Sequence, residues 1–291
     1  ILLERNMENN IQKKIFKKGS RAYFYSSLFF PKKVKKDVST LYAFVRIVDD
    51  YVDSVPQKKD DFFEFYKNFK KAWNDEFINN KVIDDFVLLA KEKNFSLDWI
   101  EAFFDAMKSD LEKRIYKNIE ETINYMYGSA EVIGLMMAKI MNLKENSYYG
   151  AKMLGRSMQY INFVRDLHED NILGRQYLPI NEMQEYGLKN LNKEEAEKNK
   201  KIFSLFIKKQ LDYYNNWQRE AKTSFKYLAF PYYIPIVTAS LMYNYTAKEI
   251  RKNPLIVFKK RIKPSIFRII LSGIIIFFQA IWIKFLKNTK S

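Results

Sequence analysis

The chain has 291 residues, of which 50 are Lys or Arg and 34 are Asp or Glu, for a net charge of +16; 47% of its side chains are hydrophobic and 16% aromatic. That apolar content supplies a sizeable core and excludes global disorder. With no Cys, a single His (His168) and 8 Gly in no GxGxxG or P-loop arrangement, disulfide scaffolds, thiol nucleophiles, Cys or multi-His metal sites, the Rossmann fingerprint and the P-loop are excluded and a Ser-His-Asp enzyme is disfavoured.

The N-terminus, Ile-Leu-Leu-Glu-Arg, lacks the long apolar stretch of a secretory signal, so a cytoplasmic protein is expected. No proline falls between Pro56 and Pro179, and that stretch is rich in Lys, Glu, Leu, Ala and Met, which reads as successive helices. Helices are predicted near 20–29, 33–54, 59–77, 81–93, 97–114, 119–142, 146–173, 194–222, 233–251 and 264–287, with Ser96 and Pro264 as start signals. There is no regular series of alternating strands, no repeat and no low-complexity linker, so a single all-α domain is expected.

In the second predicted helix, Leu41-Tyr-Ala-Phe-Val-Arg-Ile-Val-Asp-Asp-Tyr-Val-Asp53, Asp49 and Asp53 share one face with Arg46. The apolar flanks Val45, Ile47, Val48, Tyr51 and Val52 predict burial. Two bare carboxylates there would repel each other and take up protons, and a bound divalent cation removes that penalty. Asp60-Asp61 and Asp84-Asp85 read instead as solvated surface. Further on, Gln159, Asn162, Asp166 and Asp170 form one polar stripe among Tyr160, Ile161, Phe163, Val164 and Leu167. Two such motifs in an all-α chain predict facing helices that clamp metal between them. Any such metal must be a hard, oxygen-bound cation; Mg2+ is completed by phosphate oxygens, so the substrate is expected to carry phosphates. Arg46, Arg165 and Arg175 are candidates to hold a diphosphate by forked hydrogen bonds, with Ser20, Arg21 and Tyr23 as a further hydroxyl and guanidinium cluster. His168, two residues past Asp166, reads as a partly exposed histidine.

The segment Tyr42–Asp53 resembles the first aspartate-rich motif of the squalene/phytoene synthases. Gln159-Tyr-Ile-Asn-Phe-Val-Arg-Asp-Leu-His-Glu-Asp-Asn-Ile-Leu-Gly-Arg-Gln-Tyr-Leu-Pro179 is similar to the second, and Tyr125-Met-Tyr-Gly-Ser-Ala-Glu-Val-Ile-Gly-Leu-Met137 to the aromatic-glycine helix between them. The resemblance covers roughly residues 15–263 and is strongest with bacterial and archaeal phytoene synthases. It implies an isoprenoid-synthase-type helical bundle around a central apolar cavity, with residues 1–263 as the synthase domain. It also implies head-to-head condensation of two geranylgeranyl diphosphates to phytoene through a cyclopropylcarbinyl diphosphate. Mg2+, or Mn2+ in its place, would be held by Asp49, Asp53, Asn162, Asp166 and Asp170. By the same resemblance Tyr127 matches an active-site tyrosine, Gln159 and Asn162 match polar positions beside the second motif, and Tyr23, Tyr42, Tyr177 and Tyr243 join Arg46, Arg165 and Arg175 around the substrate. Gly19 stands where some members carry His, and Glu131 where many have a small residue; Glu131 either lines the cavity or faces outward. Met126, Leu135, Met136, Met137 and Met141 read as core, with one or two touching prenyl carbons.

Residues 11–36 hold nine Lys/Arg and no acid, and residues 248–263 hold seven against Glu249 alone. They precede Ile269-Ile-Leu-Ser-Gly-Ile-Ile-Ile-Phe-Phe-Gln-Ala-Ile-Trp-Ile283, 15 apolar-rich residues between Arg268 and Lys284. That is short of the ~20 needed to span a bilayer. Residues 264–291 are therefore expected to lie on an anionic membrane surface rather than to bind nucleic acid; docking on the core is the alternative. Three other functions compete. One is a squalene or dehydrosqualene synthase using farnesyl diphosphate, with NADPH needed only for squalene. The second is a head-to-tail prenyltransferase, whose second motif is not found at 166–170. The third is a basic helical membrane- or nucleic-acid-binding module, which leaves the carboxylate pairs unexplained.

Overall fold

Short polar breaks cut the chain into helices packed on all sides. The computed structural model describes residues 2–288, with side chains from 11 to 282; residues 289–291 of the predicted C-terminal segment lie outside the described residues. The helices are α1 (Leu2–Gly19), α2 (Arg21–Ser27), α3 (Lys32–Asp53), α4 (Lys59–Trp73), α5 (Lys81–Glu92), α6 (Leu97–Ser109), α7 (Ile119–Met126), α8 (Val132–Ile140), α9 (Tyr148–Arg165), α10 (Leu167–Ile172), α11 (Ile180–Glu185), α12 (Lys193–Lys198), α13 (Lys200–Thr223), α14 (Phe230–Lys252) and α15 (Ile266–Asn288). Among the described residues the only β pairing is one parallel bridge, Ile115 to Gln176. The all-α expectation is met.

Helical spacing of large apolar side chains explains the packing. On α3, Val34, Val38, Leu41, Phe44, Val48 and Val52 form one buried stripe. Phe44 stacks on Phe86 at 3.6 Å and meets the edges of Phe69 and Phe104, so α3, α4, α5 and α6 close on an aromatic core. A second core forms where α9 packs on α13: Tyr160, Tyr214 and Trp217 are buried, and Trp217 presents its edge to Tyr160. Helix α9 also packs against α8 and α14, which makes it the axis of the bundle. Glycine permits the closest of these approaches. A Cβ on Gly155 would fall on the Ala130 carbonyl oxygen, and one on Gly134 on that of Ala151.

Several boundaries differ from expectation. The predicted 146–173 helix breaks at Asp166 (φ −96°, ψ 13°), and 194–222 breaks at Asn199. Predicted 59–77 stops at Trp73 before Asp75, whose φ is +69°, and 97–114 stops at Ser109. Predicted 119–142 contains a π-helical turn, Tyr127–Glu131, between α7 and α8. Helices α1 and α11 were not expected; α1 is anchored by Phe16, which stacks on Tyr42 at 4.3 Å. Asn80, Asn118 and Asn192 accept capping hydrogen bonds at helix starts, whereas Ser96 sits at the cap position of α6 without one.

Candidate active site

An apolar chamber of about 260 Å³ lies between α2, α3, α8, α9 and α14. Its inner wall includes Phe16, Val38, Met137, Met141, Phe225 and Ile236. Met137 and Met141 therefore line it, while Met126, Leu135 and Met136 are core. Its polar rim is made by Tyr23, Tyr42, Gln159 and Asn162. One helical turn beyond that rim come Asp49 on α3, after Val45, and Asp166 at the end of α9, after Asn162.

The two predicted carboxylate pairs come within electrostatic reach of each other through Asp53 and Asp170. Burial and the charge of Asp53 push the Asp49 carboxyl up to about 8, against the pull of Arg46. Arg46 donates to Asp49 at 2.8 Å and also pairs with Asp50. Burial, then Asp166, then Asp53 hold Asp170 well above the usual carboxylate range. Asp53 lies on α3 and Asp170 on α10, so the fields of the two motifs overlap across the gap. The break at Asp166 does not sever the helical ladder: the Asp170 N–H still donates to the Asp166 carbonyl at 2.9 Å.

Each pair has a carboxylate gripped by arginine. Arg175 is 4% exposed and donates to Asp53 at 2.6 Å and to the Val52 carbonyl at 2.6 Å. Behind it, Asp110 accepts from Tyr125 at 2.6 Å and Tyr177 at 2.9 Å. Burial pushes Asp110 up to about 6. Asp166 accepts Arg165 through both oxygens, at 2.6 and 2.5 Å, and is also paired with Arg261. Lys263 stands near Arg261, Arg165 and Arg21; burial and then those three cations lower its pKa. Arg165, Arg261, Lys263 and Arg21 thus gather on the Asp166 side of the site, while Arg46 and Arg175 hold the other pair.

The remaining predicted residues fall into distinct places. Tyr23, which lines the chamber, and Tyr243 lie ring to ring at 5.4 Å, both phenols pushed up by burial. Tyr23 donates to the Met158 sulfur at 3.0 Å. Ser20 caps α2 by accepting from the Tyr23 N–H at 3.3 Å, which leaves its O–H free to donate. Arg21 is exposed. Tyr177 is buried beneath the site, stacked on Phe163 at 4.3 Å, and so is a support for Asp110 rather than a rim residue. Tyr127 is 40% exposed on the π turn and does not line the chamber; the wide turn carries it outward. Glu131 takes neither of its two expected positions: it is 1% exposed and accepts from Arg156 at 2.6 Å. His168 is half-buried with its ring edge against Phe258. Sequence reasoning missed Asp110, which belongs to none of the quoted motifs, and placed Arg261 and Lys263 in a surface patch because they stand in a Lys-rich run.

The donor set suits a hard cation. Its acids stand on α3, at the α9–α10 junction and on α10, and the buried Asn162 Oδ1 has no hydrogen-bond partner. Among the described residues no three acidic side chains converge into a closed cluster. An ion that keeps its water and borrows phosphate oxygens needs no closed protein cage.

The squalene/phytoene synthase family profile matches residues 16–268, and the chain belongs to that family. Among curated relatives it is 26% identical over 188 residues to the 15-cis-phytoene synthase of Pantoea ananas, a match spanning 60% of each chain. It is 27% identical over 243 residues to that of Enterobacter agglomerans, spanning 78% of this chain and 80% of the relative. The fold is that of a solved dehydrosqualene synthase, with a TM-score of 0.83 at 19% identity, covering 98% of this chain and 99% of the other.

Proposed function

We propose that the chain condenses two geranylgeranyl diphosphates head to head into phytoene. The observation that supports this is the electrostatic coupling of Asp53 on α3 with Asp170 on α10, beside an apolar chamber whose polar lining includes Gln159 and Asn162. The relatives named phytoene synthase support the choice of product.

Asp49, Asp53, Asp166, Asp170 and the Asn162 oxygen would hold Mg2+, with Mn2+ as a substitute. Bound there, the cation supplies Lewis-acid neutralisation of charge gathering on the departing diphosphate. Arg165, Arg261, Lys263 and Arg21 add fixed positive charge at the same mouth. The C1–O bond of the first substrate breaks, and its electron pair leaves with the diphosphate. The double bond of the second substrate attacks the allylic cation, and proton loss closes the cyclopropane ring. Loss of the second diphosphate, rearrangement and a second proton loss give the C40 hydrocarbon, with no reductant consumed. The chamber excludes water from the cations, and the faces of Phe16, Tyr23 and Tyr42 stabilise them.

Purified protein, Mg2+ and labelled C20 or C15 diphosphate, with and without NADPH, test the reading. A C40 product formed without NADPH is expected. A C30 product from C15 alone would place the chain with the squalene or dehydrosqualene synthases. No turnover with either would overturn the enzyme reading.

A further inference from the structure

Helix α15 is apolar on two opposite faces. Ile269, Gly273 and Ile276 form its inward stripe, with Ile269 and Ile276 buried. Gly273 is required there, because a Cβ would fall on the Phe29 ring beyond α2, and Phe277 lies 5.7 Å from Phe230 on α14. This stripe settles α15 on α2 and α14. The opposite stripe is Phe267, Leu271, Ile274, Phe278 and Ile281, at steps of four, three, four and three, with Trp282 beside it; Phe267 is 76% exposed and Phe278 and Trp282 are each 63% exposed. A helix on a water-facing surface carries one such stripe, not two, and a bare patch of this kind marks an interaction site.

Charge selects the partner. After Glu249 the chain holds ten Lys/Arg and no Asp or Glu. Lys259 and Lys260 are exposed just ahead of α15, and Arg268 lies over the Tyr245 ring at 4.2 Å. A second copy docked face to face would bring two such cationic segments together and repel. A nucleic acid would answer the charge and leave the aromatic stripe bare. Among the described residues no helix is long and apolar enough to cross a membrane.

We propose that the outward stripe of α15 seats the protein in the interface of an anionic bilayer, framed by Lys259 and Lys260. The helices beneath it, α2 and α14, supply Ser26, Ser27, Pro235, Ile236 and Ala239 to the chamber wall, and the turn after α2 adds Phe30. The face on the lipid is thus the outside of the chamber's own wall. This deepens the prenyl-synthase reading by assigning where its lipid substrates and product are exchanged, and its test contains no diphosphate substrate, so the two can fail separately.

Purified full-length protein is floated with vesicles of phosphatidylcholine alone or mixed with phosphatidylglycerol. Binding to the anionic vesicles is expected, weaker by about tenfold on the neutral ones. The triple variant Phe267→Ser, Ile274→Ser, Phe278→Ser is expected to lose binding by about tenfold or more with unchanged thermal melting. Lys259→Glu with Lys260→Glu is expected to erase the anionic preference. Quenching by brominated acyl chains serves if the triple variant misfolds: parent fluorescence is quenched, and Trp282→Phe removes most of the quenching. Flotation of the triple variant equal to the parent, or a parent that binds neither vesicle, overturns the proposal. A parent dimer that the triple variant dissolves, without vesicle binding, makes the face an interface between copies and overturns it too.

Discussion

The two acidic motifs carry the same pair of carboxylates at the same spacing, yet the protein holds them differently. Asp49 and Asp53 stand on one unbroken helix, and the clamp on Asp53 comes from behind. Arg175 is buried, and Asp110, Tyr125 and Tyr177 stand behind it. Asp166 and Asp170 straddle a break, and the clamps on Asp166 come from the mouth, where Arg165 and Arg261 also face any arriving phosphate. In both pairs the second carboxylate is left desolvated: Asp49 in the first, Asp170 in the second. In the first pair both acids meet an arginine, Asp53 through Arg175 and Asp49 through Arg46, whereas in the second only Asp166 does, and burial disfavours the ionised forms of Asp49 and Asp170. The first pair is braced by a buried network; the second is tied to Arg165 and Arg261.

The largest expected effect tests the shared feature. Asp49→Asn and Asp170→Asn should each lower kcat by about a thousandfold or more with the fold intact, measured as hydrocarbon formed from C20 diphosphate. A large loss in only one would break the symmetry between the motifs. Next comes the difference between the clamps. Arg261→Gln should weaken binding of inorganic pyrophosphate and raise KM by about 10–100-fold, with little change in melting. Arg175→Gln should cost less in KM but about 3 kcal/mol of stability by denaturant unfolding, because it strips the cation from a buried acidic network.

The last effect is in pH, and in activity it is the smallest. The Asp49 carboxyl rises from 3.8 to about 8 on folding. Between those values the folded protein binds more protons than the unfolded chain, so this group makes stability fall as pH rises. In metal-free protein, Asp49→Asn should match the parent's melting temperature near pH 4 and exceed it increasingly toward pH 8. A constant difference across that range would show that the carboxyl is not held protonated.

Much of this was legible from spacing. The apolar flanks Val45, Ile47, Val48, Tyr51 and Val52 mark the buried end of α3, and acids at i,i+4 among apolar neighbours mark both motifs. The break at Asp166 was not legible, because Asn162, Asp166 and Asp170 keep helical periodicity and the backbone ladder runs through the kink. Tyr127 illustrates the same limit: a π turn shifts side-chain direction without any change in residue type. Asp110 and Arg261 were invisible for a different reason. Each acts through contacts distant in sequence, to Arg175 and Tyr177 or to Asp166, and neither stands in an informative pattern of its own. The partner of Glu131, Arg156, is likewise 25 residues away on another helix.

The central claim is that acids from α3 and from the α9–α10 junction grip one diphosphate-bound cation cluster. Titrating Mn2+ in the presence of inorganic pyrophosphate, followed by electron paramagnetic resonance, tests it on the parent, Asp49→Asn, Asp170→Asn and the double variant. Each single change should weaken Mn2+ binding by about tenfold or more, and the double variant should bind little worse than the weaker single, because both remove the same cluster. Parent-like binding in either single variant, or losses that simply add in the double, would contradict a shared cluster.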